Sequence, residues 1–485
     1  MTPRWIRTAW MGGFLIVGAL ALLTLRNPVQ AQGEKQDENF RSEDHNVAHH
    51  PKITSFAVET TDETLTYPSY LVDLPDEHTT IIPPPAWPYL WETTGADTYL
   101  VFASSNVYGG TAMSGAVVLE TTDLMHFYPA TDWGYSHQVM GSPLAISDCD
   151  PAYDTEFDEN YAAPGSVVQD PTRSPGNLIM IYEAENHCPS GIHEHHFYAT
   201  VGFARSSDNG RTWPLPPKNA EFGNADRHPI LKQFGPEPAA VNEPMGDALP
   251  SAFVDINDKG EAYLYVTYGH AERPGEPNPG GWLIRVARAK LGEVYHSSGD
   301  HHRQDSDQNG QLHFYKWYNS ESSQPEIAGL NVMGRVSQGA AAGAFSQPGI
   351  AGFDSGVIPT GGCAGRQVMP EITYNDDLGL YFMIFVGNLC AEGHTAWYYS
   401  TATSLDHEDW TPPQMIANSE HPMSTPCNLD DYTDTSLPGF YPSFMSPGSA
   451  AGHTKLRGRA FFLLGCDDAL PRALASRTFT ITTEP

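Results

Sequence analysis

Several acidic residues stand where a folded chain rarely places a carboxylate without a use. Asp170 directly precedes a proline and Glu371 directly follows one, and each proline opens a segment with the pattern of a strand. Glu183 and Glu185 lie at the end of an apolar run, and Asp247 lies shortly before another strand-opening proline. Two carboxyl groups held in different protonation states can act as general acid and general base. These five residues are therefore the candidate catalytic or ligand-binding acids.

A dense group of imidazoles follows the same apolar run. His187 opens the stretch HCPSGIHEHH, which also contains His193, His195 and His196. Imidazoles at this density can bind a transition metal, but their spacing matches no fixed ligand pattern, so the metal stays unknown. Solvent-facing loop histidines, or histidines that hydrogen-bond a ligand, are the alternative.

The elements that position these residues repeat with a period of roughly 80 residues. Five apolar runs have the length and the β-branched or aromatic bias of buried strands. They are TYLVFAS (98–104), LIMIYEA (178–184), YLYVTYG (263–269), YFMIFVG (381–387) and FFLLGCD (461–467). A segment led by proline precedes each run, at Pro88, Pro171, Pro250, Pro370 and Pro442.

Four antiparallel strands repeated radially form a propeller blade. The pattern therefore predicts an all-β fold over residues 51–485, a five-bladed β-propeller of four-stranded antiparallel blades. The segment KITSFAVET (52–60) is expected to complete a blade and to close the ring.

The stretch RSSDNGRTWP at 205–214 predicts a tight hairpin, because Asp-Asn-Gly is a turn signal and apolar residues flank it. It resembles the Asp-box of sialidase-type propellers, a structural motif carried by Ser207, Asp208, Gly210, Thr212 and Trp213. Weaker versions occur at 117–129 and at 399–413, the second with Ser404, Asp406 and Trp410.

Antiparallel connectivity places these box hairpins on one face and the starts of the first strands on the other. Six cysteines in an exported chain favour disulfides over a zinc site. Their equivalent positions in three blades predict the pairs Cys149–Cys188, Cys363–Cys390 and Cys427–Cys466, and free buried thiols are the alternative. Three loops pinned on the face of the first-strand starts indicate a preformed site there.

The N-terminal residues have the pattern of a targeting segment. Arg4 and Arg7 precede GGFLIVGALALLTL, and residues 1–31 end in a small-residue cleavage pattern, which predicts a secretory signal peptide. An uncleaved membrane anchor is the alternative, and only then would the membrane be a partner. Residues 32–50 read as a polar linker. We therefore expect a secreted, periplasmic or cell-surface protein.

Composition excludes several partners. A formal net charge of −32 argues against nucleic acid and anionic membranes. No P-loop or GxGxxG motif is present, so no nucleotide cofactor is expected. No cofactor is required by the sequence, although the acids could bind a structural Ca²⁺. The chain is expected to be a monomer.

The repeat and its short motifs resemble the five-bladed propeller glycoside hydrolases, the group that includes the family 43 arabinan- and xylan-cleaving enzymes. Gln169-Asp170-Pro171 is similar to the Asp-Pro start of a catalytic blade in that group, and MIYEAENHC before a box is similar to exported hydrolase-like propellers. The resemblance implies an exported glycoside hydrolase that acts on a polysaccharide or glycoconjugate.

Hydrolysis of a glycosidic bond usually needs two carboxyls. We predict Asp170 as base or nucleophile, Glu371 as general acid and Glu183 as a positioning or pKa-tuning residue. Turn capping, calcium binding, or pairing with Arg173 and Arg366 is the alternative.

Further residues are predicted to bind the carbohydrate substrate: Glu185, His187, Asp247, Tyr182 and Trp397. For the aromatic residues, Trp91 included, packing in the core is the alternative. Two other functions stay open, a non-catalytic carbohydrate-binding propeller and a protein-interaction module.

Overall fold

Apolar runs and tight turns give a chain of antiparallel hairpins. The computed structural model describes residues 52–58, 63–65, 80–82, 99–105, 115–123, 125–135, 139–142, 144, 157–188, 197–213, 227–233, 245–257, 259–271, 282–292, 312–318, 344–348, 366–375, 378–388, 396–405, 410–416, 440–445, 455–464 and 473–484. Within these ranges every regular element is a β-strand, apart from one 3-10 turn at Ala130–Trp133. The predicted signal peptide and linker lie outside them.

The strands follow one another in five antiparallel groups. Group 1 contains β3 (Thr80–Ile82), β4 (Tyr99–Ser105), β5 (Gly115–Thr121), β6 (Tyr128–Pro129) and β7 (Met140–Gly141). Group 2 contains β8 (Tyr161–Gln169), β9 (Leu178–Asn186), β10 (Tyr198–Ser206) and β11 (Arg227–Leu231). Group 3 contains β12 (Met245–Ile256), β13 (Ala262–Ala271), β14 (Trp282–Lys290), β15 (Tyr315–Tyr318) and β16 (Ala344–Pro348).

The remaining strands make two further groups. Group 4 contains β17 (Arg366–Asn375), β18 (Leu380–Asn388), β19 (Ala396–Ala402) and β20 (Gln414–Met415). Group 5 contains β21 (Phe440–Met445), β22 (Lys455–Leu464) and β23 (Ala473–Thr483), together with β1 (Ile53–Val58) and β2 (Glu63–Thr64).

Groups 2 and 3 are joined into one sheet of nine strands by a short parallel pairing. Strand β10 pairs with β12 at Tyr198 with Met245 and at Ala199 with Gly246. A Cβ at Gly246 would lie 2.1 Å from the Ala199 carbonyl oxygen, so the two backbones meet where only glycine fits.

The two ends of the described chain meet in group 5. Strand β1 pairs antiparallel with β23, and Phe56 lies opposite Ile481 while Val58 lies opposite Phe479. The segment predicted to complete a blade thus joins the last strand group.

The first strand of each group faces the interior. Strand β3 contacts β8, β8 contacts β12, β12 contacts β17, and β17 contacts β21. One apolar cluster draws on all five groups, for example through Phe56, Val117, Ala199, Leu249 and Val386. Successive antiparallel sheets around a shared interior are the arrangement of a β-propeller.

A proline marks an irregularity in four of the first strands. The pairing register shifts between Pro164 and Ser166 in β8, Ala248 and Ser251 in β12, Val368 and Glu371 in β17, and Phe440 and Ser443 in β21. Proline cannot donate a ladder hydrogen bond, so within a sheet it is tolerated at such bulges.

This irregularity corrects one predicted boundary. The first strand of group 2 was expected to begin at Pro171, but it runs Tyr161–Gln169, and its bulge proline is Pro164. Pro171 lies in the exposed turn that follows the strand. A turn proline and a bulge proline look alike in sequence, and only burial of the flanking residues separates them.

The apolar runs correspond to the second strand of each group. Four of them, at 98–104, 178–184, 263–269 and 381–387, fall on β4, β9, β13 and β18. The fifth covers only the end of β22, which starts at Lys455. In the described part of the chain, no helix has the length and apolarity needed to cross a membrane.

Candidate functional site

The first strands of groups 2 and 3 run side by side. Ser166 Oγ donates to Ser251 Oγ at 3.4 Å and accepts from the Ala252 N–H at 2.9 Å. A Cβ on Gly165 would lie 2.2 Å from the Pro250 carbonyl oxygen, so the strands touch directly. We call the end where the first strands begin the upper end, and the end carrying the first turn of each group the lower end.

Glu371 is a partly exposed carboxylate on an interior strand. It is the first paired residue after the bulge in β17, opposite Ile384. The residues that follow the bulge in β8, β12 and β21 are Ser166, Ser251 and Ser443. A carboxylate replaces a small neutral side chain at this one position, where burial disfavours an unused charge.

Glu183 reaches from group 2 into group 3. Its side chain is buried, and its Oε2 accepts the Leu249 backbone N–H at 2.7 Å. Leu249 lies inside the bulge of β12 with φ 56, a left-handed conformation that costs a non-glycine residue about 1–2 kcal/mol. Met369 occupies the matching place in β17 with φ 55.

Glu185 and His187 form a buried pair at the upper end of β9. His187 Nε2 lies 2.6 Å from Glu185 Oε2, and the imidazole N–H donates a hydrogen bond to the carboxylate. The His187 ring also packs 5.3 Å from the Phe197 ring, measured between centroids. The side chains are 7% and 1% exposed, so neither group faces open solvent.

Asp247 is held by an imidazole and an ammonium group. His270 Nδ1 donates to Asp247 Oδ1 at 2.7 Å, and Lys316 Nζ donates to Asp247 Oδ2 at 3.0 Å. Lys316 Nζ also donates to the Lys232 carbonyl at 2.9 Å and lies 5.6 Å from the centre of the Tyr268 ring. The Asp247 and Lys316 side chains are fully buried, so this network satisfies charges that the interior would otherwise disfavour.

Asp170 lies at the lower end and does not join the other acids. It follows β8, where its Oδ1 accepts from the Thr172 N–H at 3.0 Å and the Thr172 hydroxyl at 2.6 Å. Its Oδ2 lies 3.5 Å from both Arg173 Nε and Arg205 Nη2. The predicted upper position of Asp170 is therefore wrong, and the turn-capping, arginine-paired alternative describes it.

Strand spacing separates Asp170 from Glu371. Asp170 lies four residues beyond Ser166, the residue that matches Glu371 in the bulge register. Four strand residues span about 13 Å at roughly 3.3 Å each. Carboxyl pairs in glycosidases lie about 5–9.5 Å apart. Asp170 thus lies about 13 Å beyond the level of Glu371 along the strand direction, and Asp247, four residues before Ser251, lies about as far on the other side.

Tyr182 and Trp397 are core residues. Both are fully buried, Trp397 in the cluster shared by all groups and Tyr182 between groups 1 and 2. The prediction that these rings bind substrate is not supported by their position, and the packing alternative holds. Trp91 lies outside the described residues.

The Tyr182 hydroxyl belongs to a buried charge cluster that the sequence did not indicate. It donates to Asp158 Oδ2 at 2.9 Å, and Arg227 Nε donates to the same oxygen at 2.7 Å. Burial and the Asp158 carboxylate raise the pKa of Tyr182 well above its ordinary value, so the hydroxyl stays protonated. The cluster ties β9 and β11 to the segment before β8.

The hairpin after β10 has the predicted box, with one correction. The serine that bonds the box is Ser206, which is buried; it donates to Asp208 Oδ1 at 2.7 Å and accepts the Gly210 N–H at 2.9 Å. Ser207 is exposed instead. The ring nitrogen of Trp213 donates to the Gly210 carbonyl at 3.0 Å, so the tryptophan folds back under the turn.

The Asp208 carboxylate organises the rest of this turn. It accepts the Thr212 N–H at 3.0 Å and the Thr212 hydroxyl at 2.6 Å. Burial favours the neutral acid, but the hydrogen bonds from Ser206 and Thr212 outweigh it and lower the pKa of Asp208. The box lies at the lower end, beside the first turn of group 2, where the Asn209 N–H donates to the Gly176 carbonyl.

The weaker boxes behave in the same way where they are described. Asp123 Oδ1 accepts the N–H groups of Met125 and His126, each at 2.8 Å. Burial acts to raise the pKa of Asp123, but these bonds and the His126 side chain lower it to about 2. In the box after β19, Trp410 is buried, and Asp406 lies outside the described residues.

Cys188 is half of a disulfide bond at the upper end of group 2. Cys149, Cys363, Cys390, Cys427 and Cys466 lie outside the described residues, as do His193, His195 and His196. The three predicted pairings therefore stay predictions. In the described ranges, no three histidine, cysteine or acidic side chains converge as metal ligands. The calcium site likewise stays a prediction.

Sequence reasoning missed the basic partners of the buried acids. His270 and Lys316 bind Asp247, and Arg227 binds Asp158. His270 follows the apolar run at 263–269, just as Glu185 follows the run at 178–184. A polar residue at the end of a buried strand was therefore the signal that could have identified His270 as a site residue. Lys316 and Arg227 carry no such signal, because their partners are distant in sequence.

The upper half of groups 2 to 4, down to the middle of β17, thus combines two kinds of carboxylate. Glu371 is partly exposed, whereas Glu185 and Asp247 are buried and each is hydrogen-bonded to an imidazole. Such carboxylate–imidazole pairs can hold or pass a proton. The arrangement can support acid–base chemistry or polar ligand binding.

No protein-family model matches the chain. A search of curated proteins also finds no match. Among solved structures, an N-acetylgalactosamine deacetylase from F. plautii in complex with blood group B trisaccharide is 10% identical, with a TM-score of 0.42 and coverage of 89% of this chain and 94% of that one.

Two further solved structures are glycoside hydrolases by name. A thermostable family-43 glycoside hydrolase is 11% identical at a TM-score of 0.35, covering 80% of this chain and 91% of that one. An α-L-arabinanase of Cellvibrio cellulosa is 9% identical at a TM-score of 0.34, covering 78% and 87%. The comparisons thus include the group that the sequence resembles, but at these TM-scores the likenesses carry no argument about what this chain does.

Proposed function

We propose that this chain is an exported five-bladed β-propeller that hydrolyses a glycosidic bond in a polysaccharide or glycoconjugate. The five strand groups would be the blades, spanning residues 51–485 after a cleaved signal peptide and a linker. The substrate would bind at the upper end, where the predicted disulfides pin the loops. The chain would act as a monomer without a required cofactor.

The observation that carries this proposal is the position of Glu371. Its carboxylate is partly exposed on an interior strand, at a place where the matching residues of three other groups are serines. A partly exposed carboxylate on an interior strand is open to a ligand, and the serines at the matching positions cannot donate a proton as an acid. We assign Glu371 the role of general acid.

The second carboxyl of the reaction would lie between Glu371 and the upper end. Asp170 caps the turn after β8 and lies beside two arginines, so we take the imidazole-bonded acids Glu185 and Asp247 as the candidates. His187 and His270 would then orient these acids.

A glycan panel tests the proposal. The wild type is assayed for released sugars on plant, bacterial and algal polysaccharides, beside Glu371→Gln, Glu185→Gln and Asp247→Asn. We expect Glu371→Gln to lower kcat/KM by about 10²-fold or more, because general acid–base catalysis contributes about 10²–10⁴-fold.

Asp170→Asn is the matched control, since it removes a carboxylate from the lower end. We expect it to keep wild-type turnover, with its folding checked by thermal unfolding. Full activity of Glu371→Gln would show that Glu371 is not the general acid. Loss of turnover in a folded Asp170→Asn would instead place a catalytic residue at the lower end.

A non-catalytic carbohydrate-binding propeller is the second candidate. The observation that favours it is that Glu183, Glu185 and Asp247 are each bonded by protein donors rather than open to solvent. Binding of a glycan by the wild type without turnover, weakened in Glu371→Gln, would support this function over hydrolysis.

A further inference from the structure

The bulge of β12 is held from outside its own strand group. Leu249 has a positive φ inside this bulge, and its N–H points at the Glu183 carboxylate at 2.7 Å. A leucine does not adopt this conformation without support from its surroundings. The support comes from β9, the second strand of the neighbouring group.

Two neighbours of Leu249 matter for the site. Asp247, two residues earlier, bonds His270 and Lys316, and Ser251, two residues later, bonds Ser166. A change in the backbone of Leu249 would therefore move both ends of the bulge. Strained backbone held by a built-in partner is characteristic of preorganised sites.

We propose that Glu183 is a positioning residue, whose carboxylate oxygen locks the strained Leu249 bulge and thereby fixes Asp247 and the first strand of group 3. Glu183 acts as a hydrogen-bond acceptor at a fixed distance, and neither donates a proton to substrate nor touches it. The inference deepens the proposed function and depends on it only for the activity readout.

Two conservative variants of Glu183 test whether the position of its carboxylate oxygen or its negative charge matters. Glu183→Gln keeps the side-chain length and an acceptor oxygen but removes the charge. Glu183→Asp keeps the charge but is one methylene shorter and cannot hold the oxygen at the same place. A positioning role predicts that Gln preserves the bulge and that Asp does not.

Hydrogen–deuterium exchange of the peptide 245–252 measures the bulge directly. We expect at least tenfold faster exchange at Leu249 in Glu183→Asp, and less than a threefold change in Glu183→Gln. The peptide 366–373 is the internal reference, because Met369 has the matching φ of 55 in the next group. Its exchange should stay unchanged in both variants.

The activity readout is the pH profile of kcat/KM on any glycan that the wild type cleaves. We expect Glu183→Gln to keep the shape of the wild-type profile, and Glu183→Asp to lose activity with its bulge. Loss of one limb of the profile in Glu183→Gln, with Leu249 still protected, would overturn the proposal and make Glu183 a proton-transferring group.

Exchange at Leu249 that is unchanged in both variants would also overturn it. If the wild type cleaves no glycan, the proposed function fails while the exchange experiment still decides the role of Glu183. The two failures are therefore distinguishable.

Discussion

At the residue scale, the acids discussed above differ in how deeply their side chains are buried. Asp158, Asp247 and Glu183 are buried and bonded to donors from other strands, and they hold strands together. Glu371 is partly exposed and follows a bulge on an interior strand. Of these four carboxylates, Glu371 is the one that solvent reaches in part.

Asp208 gives a pH-dependent prediction at this scale. Its folded pKa is lowered from an unfolded value of about 3.9. The stability it contributes is therefore present above the unfolded pKa and is lost as pH falls through the lower folded pKa. We expect Asp208→Asn to cost about 1–3 kcal/mol near pH 7, and this cost should shrink near pH 3, as measured by urea unfolding.

Ser207→Ala is the control for Asp208→Asn, because Ser207 is the exposed neighbour in the same turn. Its effect should stay within about 0.5 kcal/mol, as is usual for surface substitutions. An equal cost of Asp208→Asn at both pH values would contradict the assignment of the carboxylate as an acceptor of these bonds.

The Asp158–Arg227 pair gives a second residue-scale prediction. Both side chains are 0% exposed, so Arg227→Met leaves an uncompensated charge in the interior. We expect a loss of about 3–5 kcal/mol in the free energy of unfolding, while the double variant Asp158→Leu/Arg227→Met recovers most of it. Urea unfolding of the wild type, Arg227→Met and the double variant measures this, and a double variant no more stable than Arg227→Met would contradict it.

At the scale of elements, a strand could be predicted from the sequence where the local pattern of apolar residues determines its position. Strand boundaries that depend on contacts between groups could not be predicted. The run LIMIYEA predicted β9 because its residues are buried on both faces. The β8 boundary failed because Pro164 and Pro171 carry the same local signal and differ only in what packs around them. The placement of Asp170 failed with it, and no local pattern predicts that Glu183 meets Leu249, 66 residues away.

The contact between β8 and β12 is tested by Gly165→Ala. The added Cβ would meet the Pro250 carbonyl oxygen at 2.2 Å, and backbone cannot yield as a flexible side chain can. We expect a loss of about 1–3 kcal/mol from overpacking, measured by chemical unfolding. Gly260→Ala is the comparison, since nothing lies within 4 Å of its Cβ and only its φ of +74 is unfavourable.

The order of these two glycine variants is the discriminating result. Gly165→Ala should be the more destabilising, because it forces apart two strands that also share the Ser166–Ser251 bond. If Gly260→Ala were the worse variant, the first strands of groups 2 and 3 would not be in direct backbone contact.

At the scale of the whole molecule, residues far apart in sequence close the ring. The repeat predicted that an N-terminal strand completes a blade and closes the ring, and β1 pairs with β23. An edge strand leaves backbone N–H and C=O groups unpaired, and pairing the first strand with the last one supplies partners for both. The details of the closure rest on aromatic contacts that the repeat does not encode.

Phe56 tests this closure. It is 4% exposed on β1, and its ring lies 5.4 Å from Phe479 in its own group and 5.2 Å from Tyr399 in group 4, measured between centroids. Phe56→Ala should therefore loosen both the closing pair and the contact with the neighbouring group. We expect a loss of about 3–5 kcal/mol, as for other buried phenylalanines, measured by thermal and chemical unfolding.

Ser55→Ala is the matched control, because Ser55 lies on the exposed side of the same strand, and its stability should be close to wild type. Since one apolar cluster spans all five groups, the Phe56→Ala protein should still unfold in a single transition at a lower temperature. An early separate transition would instead mean that group 5 is an independent unit and that the closing strand does not stabilise the rest of the ring.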